Sequence, residues 1–236
     1  MAKFLLVHGS CHGAWCWRDV LPALQARGHE AVAIDLPSHG SDATEVSEVT
    51  LDAYARAILD HIDDPVILVG HSMAGYPITR AADMSPEKIA KLVYLCAYVP
   101  VDGQSLADMR RAGPEAPIME AITVSDDRRT FSAIPEKAQE TFYHDCPQEA
   151  VDYAIPRLCP QPIRPQETAF KPGASRQVES HYIICDDDRV IPPVYQMMMS
   201  AHFPRDRVAN LRTSHSPFFA APEALADHLS RIAGST

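Results

Sequence analysis

The chain has 236 residues, 46% of them hydrophobic, enough for one large α/β domain or two small ones with a sizeable core. Thirty-one acidic residues against 21 basic ones give a net charge of −10, which argues against nucleic acid or an anionic membrane as the main partner. No apolar run reaches transmembrane length, and the six cysteines (residues 11, 16, 96, 146, 159 and 185) lack zinc-finger spacing. The first apolar run is too short for an export signal, so reduced thiols and a cytoplasmic location are expected.

Residues 3–7 read as a first strand, followed by a small-residue loop, His8-Gly9-Ser10-Cys11-His12-Gly13-Ala14-Trp15. The pattern predicts a helix over 17–27, with Val20, Leu21 and Leu24 on one face and Gly28 as its stop. Residues 30–36 predict a second buried strand, and residues 37–41 a turn. Thr50 is placed to N-cap a helix reaching about residue 62, with Leu51, Tyr54, Ile58 and Ile62 at helical spacing. A strand at 66–69 leads into Gly70-His71-Ser72-Met73-Ala74-Gly75 and then a helix to about residue 84, with Pro77 in its first turn. Residues 89–96 read as another strand, with Cys96 buried at its end. This β-α-β-α-β alternation implies a parallel sheet covered on both faces.

The rhythm breaks near Pro100. Ten of the twenty prolines lie between there and Pro172, with apolar helix fragments at 106–109, 138–143 and 150–155. Phe131, Phe142, Tyr143, Tyr153 and Phe170 need something to pack against, so this stretch is a folded insertion rather than a linker. The expected division is a core of residues 1–99 and 178–236, with 100–177 as a helical cap over the sheet edge. The alternation resumes with a strand at 180–185, a helix at 193–202, a strand at 207–211 and a last helix at 222–232.

A serine between small residues at a strand-to-helix turn reads as a nucleophile elbow of the Gly-x-Ser-x-Gly type, with Gly70 and Gly75 leaving room for the turn. A serine hydroxyl needs a base to attack at neutral pH. In such an architecture the acid and then the histidine follow on loops after later strands. Asp186-Asp187-Asp188 follows one such strand, and Thr213-Ser214-His215-Ser216 follows the next. His215 would shuttle the serine proton and one of the three aspartates would orient it; spacing does not choose among them. An oxyanion hole needs two backbone N–H groups, one from Met73 and one from the His8-Gly9-Ser10 loop. The His8 and His12 pair lies in a glycine loop without the helical glutamate of a zinc protease, so no metal is expected. Nothing near Cys11 in sequence would lower its pKa, so it reads as a packed thiol.

The 8–15 loop, Leu24-x-x-x-Gly28-His29, the stretch from Val66 to Ser72 and Cys185-x-x-Asp188-x-x-Ile191-Pro192 together resemble one branch of the α/β-hydrolases. That branch holds plant methyl esterases, hydroxynitrile lyases and bacterial small-ester hydrolases. Cys146-Pro147-Gln148-Glu149 and Arg157-Leu158-Cys159-Pro160 carry the likeness into the cap. The resemblance implies the α/β-hydrolase fold, Asp188 as the triad acid, and Ser10 and Met73 as the oxyanion donors. The plant lyases carry Thr in place of Gly9, Lys in place of Ser216 and Glu-Ser-Cys at the elbow in place of His71-Ser72-Met73. On all three counts the chain is similar to an esterase. The plant esterases have a longer cap, so their hormone esters are not assumed as substrates.

The expected function is therefore a cofactor-free serine carboxylesterase cleaving a small, fairly apolar ester through an acyl-enzyme. The alternatives are a cyanohydrin lyase on the same fold and a ligand receptor that retains it. Gly9, Cys11, Phe131, Phe142 and Phe218 are the candidate pocket residues. Since relatives in this branch are often dimers, an apolar cap offers a surface for a homodimer.

Overall fold

Parallel pairing follows from the spacing of the apolar runs, since a helix-length segment must carry the chain back between one strand and the next. The computed structural model describes residues 1–234. In chain order its first half holds β1 (Lys3–Val7), α1 (Val20–Ala26), β2 (Glu30–Ile34), α2 (Leu51–Leu59), β3 (Val66–His71), α3 (Gly75–Met84) and β4 (Ile89–Leu95). Then come α4 (Leu106–Ala112), β5 (Ile122–Val124), β6 (Thr130–Ala133), α5 (Pro135–Phe142), α6 (Gln148–Ala154), β7 (Gln161–Pro162) and α7 (Arg164–Glu167). The chain closes with β8 (Ser180–Cys185), α8 (Pro193–Ser200), β9 (Val208–Leu211), α9 (Pro217–Ala220) and α10 (Pro222–Gly234).

The main sheet has the order β2-β1-β3-β4-β8-β9, and every neighbouring pair is parallel. β3 lies at its centre and is buried at every position, so its sequence is a continuous Val, Ile and Leu run rather than an alternation. The chain leaves β1 toward β2 on one side and returns to β3 on the other. Right-handed crossovers then send α1 and α2 to opposite faces. α1 packs against α10, and α2 against α3. This reversal between β1 and β3 is a topological switch point, where a crevice opens at the carboxyl ends of the strands.

Several expectations change. β2 is an edge strand, not a buried one, and Val32 in its middle is 54% exposed. The helix expected over 17–27 splits into a 3-10 turn at Ala14–Trp17 and the shorter α1. Between β4 and β8 the short helices are joined by a three-stranded antiparallel sheet, β5-β6-β7, which helical periodicity missed. Thr50 does cap α2, accepting a hydrogen bond from the Ala53 N–H at 3.0 Å. All six cysteines are free thiols, with Cys96 and Cys185 fully buried. Among the described residues no helix is long and apolar enough to cross a membrane.

Candidate active site

Because β1, β3, β8 and β9 run in one direction, the loops that follow them meet at one edge of the sheet. Ser72 sits directly after β3 with φ of +56°, in the left-handed region that side chains avoid. Such a residue costs on the order of 1–3 kcal/mol and persists where its surroundings fix it. The second small position, two residues after the serine, is Ala74 rather than glycine, and Gly75 follows. A Cβ on Gly75 would overlap the Tyr98 carbonyl oxygen, so the elbow helix packs against the loop after β4 at the closest approach a backbone allows. The Tyr98 N–H donates to the Ser72 carbonyl at 3.1 Å and ties that loop to the turn.

Of the three aspartates after β8, only Asp188 is buried, at 5% exposed. Asp186 accepts from Asn210 at the surface, and Asp187 accepts from His144. Four donors converge on the Asp188 carboxylate. The Val190 and Ile191 N–H groups reach Oδ1 at 2.7 and 2.9 Å, while His215 Nδ1 and Gln196 Nε2 reach Oδ2 at 2.7 and 2.8 Å. With its acceptor sites engaged from several sides, the carboxylate is fixed, and it in turn fixes the imidazole. Gln196 also donates to the Ile191 carbonyl at 2.7 Å and accepts from the Cys185 N–H at 3.0 Å, so it braces the whole turn.

His215 is 2% exposed, and its Nδ1–H is taken by Asp188, which leaves Nε2 as the acceptor. His71 brings it to the elbow. The His71 Nε2–H donates to the His215 carbonyl at 2.8 Å, and the two rings lie 4.6 Å apart between centroids. Burial, then repulsion by His215 and His12, pushes the His71 pKa well below its usual value, so it acts as a neutral donor. Ser72 makes no direct hydrogen bond to His215 among the described residues; catalytic contacts of this kind tighten when substrate is present.

The loop after β1 lies against the serine. A Cβ on Gly9 would stand 2.7 Å from His71 Nδ1 and 2.9 Å from Ser72 Cβ, so only glycine lets this backbone come so close. Two histidines hold the loop's carbonyls. His8 Nδ1 donates to the Gly9 carbonyl at 2.8 Å, and His12 Nδ1 donates to the Ser10 carbonyl at 2.7 Å. Their far nitrogens accept from the Leu36 N–H and the Tyr143 hydroxyl. Burial lowers the His12 pKa to about 4 and drives that of His8 well below its usual value, so both are neutral braces. No acceptor takes the Ser10 N–H among the described residues, and the Met73 N–H belongs to the first turn of a helix, where such groups have no intrahelical partner.

The pocket candidates separate. Phe131 is buried at the wall of a cavity of about 460 Å³ between α4, the β5-β6 hairpin and α7. Cys11 is enclosed with its thiol toward the Phe131 carbonyl, and burial pushes its pKa up to about 12, which keeps it a protonated packing group. Phe142 packs on the His12 and His215 rings. Phe218 is fully buried against the His71 and Trp17 rings and supports the elbow histidine. Sequence reasoning did not find Gln196, Gln166 or the bracing role of the histidines. His8 and His12 drew attention only as candidate metal ligands, and no local pattern signals a glutamine that reaches across loops.

A parallel sheet with a left-handed serine at its switch point and a buried aspartate–histidine pair beside it defines the hydrolase class of α/β protein. The family model described as the alpha/beta hydrolase family matches residues 4–228, and the chain belongs to that family. It is 32% identical to Methylesterase 7 of Arabidopsis thaliana over 98% of this chain and 96% of that one. It is 31% identical to esterase PIR7B of Oryza sativa subsp. japonica, over 98% and 95% of the two chains. Among solved structures, a pyrethroid hydrolase from Sphingobium faniae JZ-2 superposes with a TM-score of 0.88 at 29% identity, covering 99% of this chain and 98% of that one.

Proposed function

We propose that the protein is a carboxylic ester hydrolase in which Ser72 is the nucleophile, His215 the general base and acid, and Asp188 the residue that orients His215. Residues 100–177 act as the cap that covers the site. Ser72 Oγ attacks the ester carbonyl as His215 Nε2 takes its proton. The oxyanion is held by the Ser10 and Met73 N–H groups, and the cost of aligning them is already met in the folded loop. His215 returns the proton to the departing alcohol, leaving an acyl group on Ser72. Water, deprotonated by His215, then releases the acid. The substrate is a small ester that fits beneath the cap.

The observation that carries this reading is the buried 2.7 Å contact between Asp188 and His215, anchored to the elbow through His71. Support against the lyase alternative comes from Ser216, enclosed and uncharged where a cyanide-stabilising lysine would stand, and from Gly9, where no side chain fits. The test is turnover of p-nitrophenyl acetate together with labelling by a serine-directed phosphonate. Label on Ser72 and loss of turnover in Ser72→Ala are expected. Label elsewhere, undiminished turnover in that variant, or cyanide release from mandelonitrile by the wild type would overturn the reading.

A further inference from the structure

A cavity within the insertion, lined by residues between Ala107 and Glu167, has a charge that the reaction itself does not use. The chain carries a net charge of −10, yet three arginines, Arg110, Arg111 and Arg128, converge on this one cavity. Arg111 is paired with Asp108 at 2.6 Å. Arg110 is not paired with any carboxylate among the described residues. Its guanidinium donates to the Gln166 side-chain amide oxygen Oε1, touches Met119 Sδ at 3.8 Å and lies 5.9 Å from the Phe131 ring centroid. Arg128 has neither an ion pair nor a side-chain hydrogen bond among the described residues, and it sits at the tip of the β5-β6 hairpin with φ of +57°. Among the described residues Glu167 is the only acidic one on the cavity wall.

Arg110 also lies close to the catalytic edge by two routes. Gln166, which accepts from it, donates to the Ser10 hydroxyl at 2.8 Å, so a single side chain separates the guanidinium from the oxyanion loop. On the other side Arg110 faces the Tyr98 phenol, and the Tyr98 N–H is bonded to the Ser72 carbonyl. Two further cavities open near Ser180 and Arg207, where β8 and β9 begin. Apart from Gln166 and Glu167, the rest of the arginine cavity wall is apolar, with Ile122, Val124, Phe131 and Ile163. A wall of this kind suits a short hydrocarbon chain ending in an anion, because guanidinium binds carboxylate through paired charged hydrogen bonds.

We infer that Arg110, assisted by Arg128, binds a carboxylate on the substrate, so the natural ester has a short apolar skeleton with an acidic group at its far end. This rests on the hydrolase reading and refines its substrate class. The carboxylate belongs either to the acid half or to the alcohol half of the ester, and paired probes separate the two. Monomethyl adipate is set against methyl hexanoate, and 4-acetoxybutyrate against butyl acetate, with acid release followed by pH-stat.

In one pair the charged ester should have a KM at least about tenfold below its neutral partner, the size expected of a charge-assisted contact. Arg110→Met should raise that KM about thirtyfold and change kcat by less than about threefold, while the neutral ester changes by less than about threefold on both counts. Arg110→Lys should recover part of the loss, and Arg128→Ser should cost about threefold. Retained turnover of the neutral ester shows that the variants are folded. Equal KM values within both wild-type pairs, or equal losses on charged and neutral esters in Arg110→Met, would overturn the inference and leave Arg110 as a brace for Gln166. Cleavage of p-nitrophenyl acetate through Ser72 keeps the hydrolase reading intact in that case. If that ester is not cleaved, calorimetry decides. The inference still requires adipate to bind the wild type and not Arg110→Met, and no binding to the wild type overturns it.

Discussion

The carboxyl edge of the main sheet and the insertion above it are built in different ways. At the edge, loops are held by buried backbone and imidazole contacts: Gly9 against Ser72, His71 on the His215 carbonyl, four donors on Asp188. The insertion uses short helices, a small hairpin sheet and long side chains that reach down to that edge, such as Gln166 to Ser10 and Asp145 to the Ser214 N–H. A site that must hold a transition state tolerates little slack, and backbone contacts supply that rigidity. A surface that selects substrates works through exchangeable side chains. Substitutions at the edge should therefore cost kcat, and those in the insertion should cost KM.

The largest effect is expected at the elbow. On the proposed mechanism, Ser72→Ala should lower kcat on p-nitrophenyl acetate by about 10⁴-fold or more, the scale expected for removal of a triad nucleophile. Ser72→Gly should be equally inactive, yet melt higher than Ser72→Ala, because glycine relieves about 1 kcal/mol of left-handed strain. A thermal melt of both variants beside the wild type checks this. Equal melting of the two would show that the serine backbone is unstrained.

Gly9→Ala comes next. Its Cβ would press on Ser72 and His71 at distances that real contacts do not show, so the loop after β1, which holds the proposed oxyanion donor, must move away. A displacement of this order should cost about 100-fold in kcat with little change in KM. A steady-state comparison on a neutral ester tests it, and a pure KM effect would contradict the contrast drawn between edge and insertion.

The edge should also give way first in acid. His8, His12 and His71 are buried as neutral rings with pKa values depressed chiefly by burial, that of His12 to about 4. On unfolding each returns toward 6.5 and takes up a proton. The unfolded chain therefore binds more protons below about pH 6.5, and stability that is fully present above that pH falls as pH drops toward about 4. Each such ring contributes a slope of at most about 1.4 kcal/mol per pH unit. Melting temperature measured from pH 7.5 to 4.5 should decline in that window, and less steeply in His12→Gln. An unchanged slope would show that His12 does not hold the loop as a neutral group.

How much of this the sequence shows depends on whether the cause is local. Thr50 and the fully apolar β3 follow from short-range rules, and the runs that became β8 and β9 did as well. The loops carrying Ser72, Asp188 and His215 were legible for the same reason, since each follows a strand whose direction is set by the alternation. β2 was misjudged because burial of an edge strand depends on its place in the sheet, and nothing in Glu30–Ile34 itself encodes that place. The β5-β6-β7 sheet was missed since its strands are two to four residues long and too short to show a period. Gln196 and Gln166 act through contacts across separate loops, and an isolated glutamine carries no signal of that.

The smallest effect tests how the insertion is fastened. Arg18, beside the first helix of the core, donates from one guanidinium nitrogen, Nη2, to both carboxylate oxygens of Glu149 in α6 at 2.6 and 2.9 Å and lies 4.0 Å from the Tyr153 ring centroid. The pair looks like a latch, but the Glu149 side chain is 75% exposed, so water and salt screen the attraction. Exposed pairs of this kind are worth about 0–1 kcal/mol. Glu149→Gln should therefore shift the melting temperature by no more than about 3 °C for a domain of this size and leave kcat within about twofold. Any increase in KM should vanish in high salt, because the wild-type contact is then screened as well. A tenfold change in kcat would mean that this surface contact sets the position of the edge, and the division of labour between rigid edge and adjustable insertion would fail.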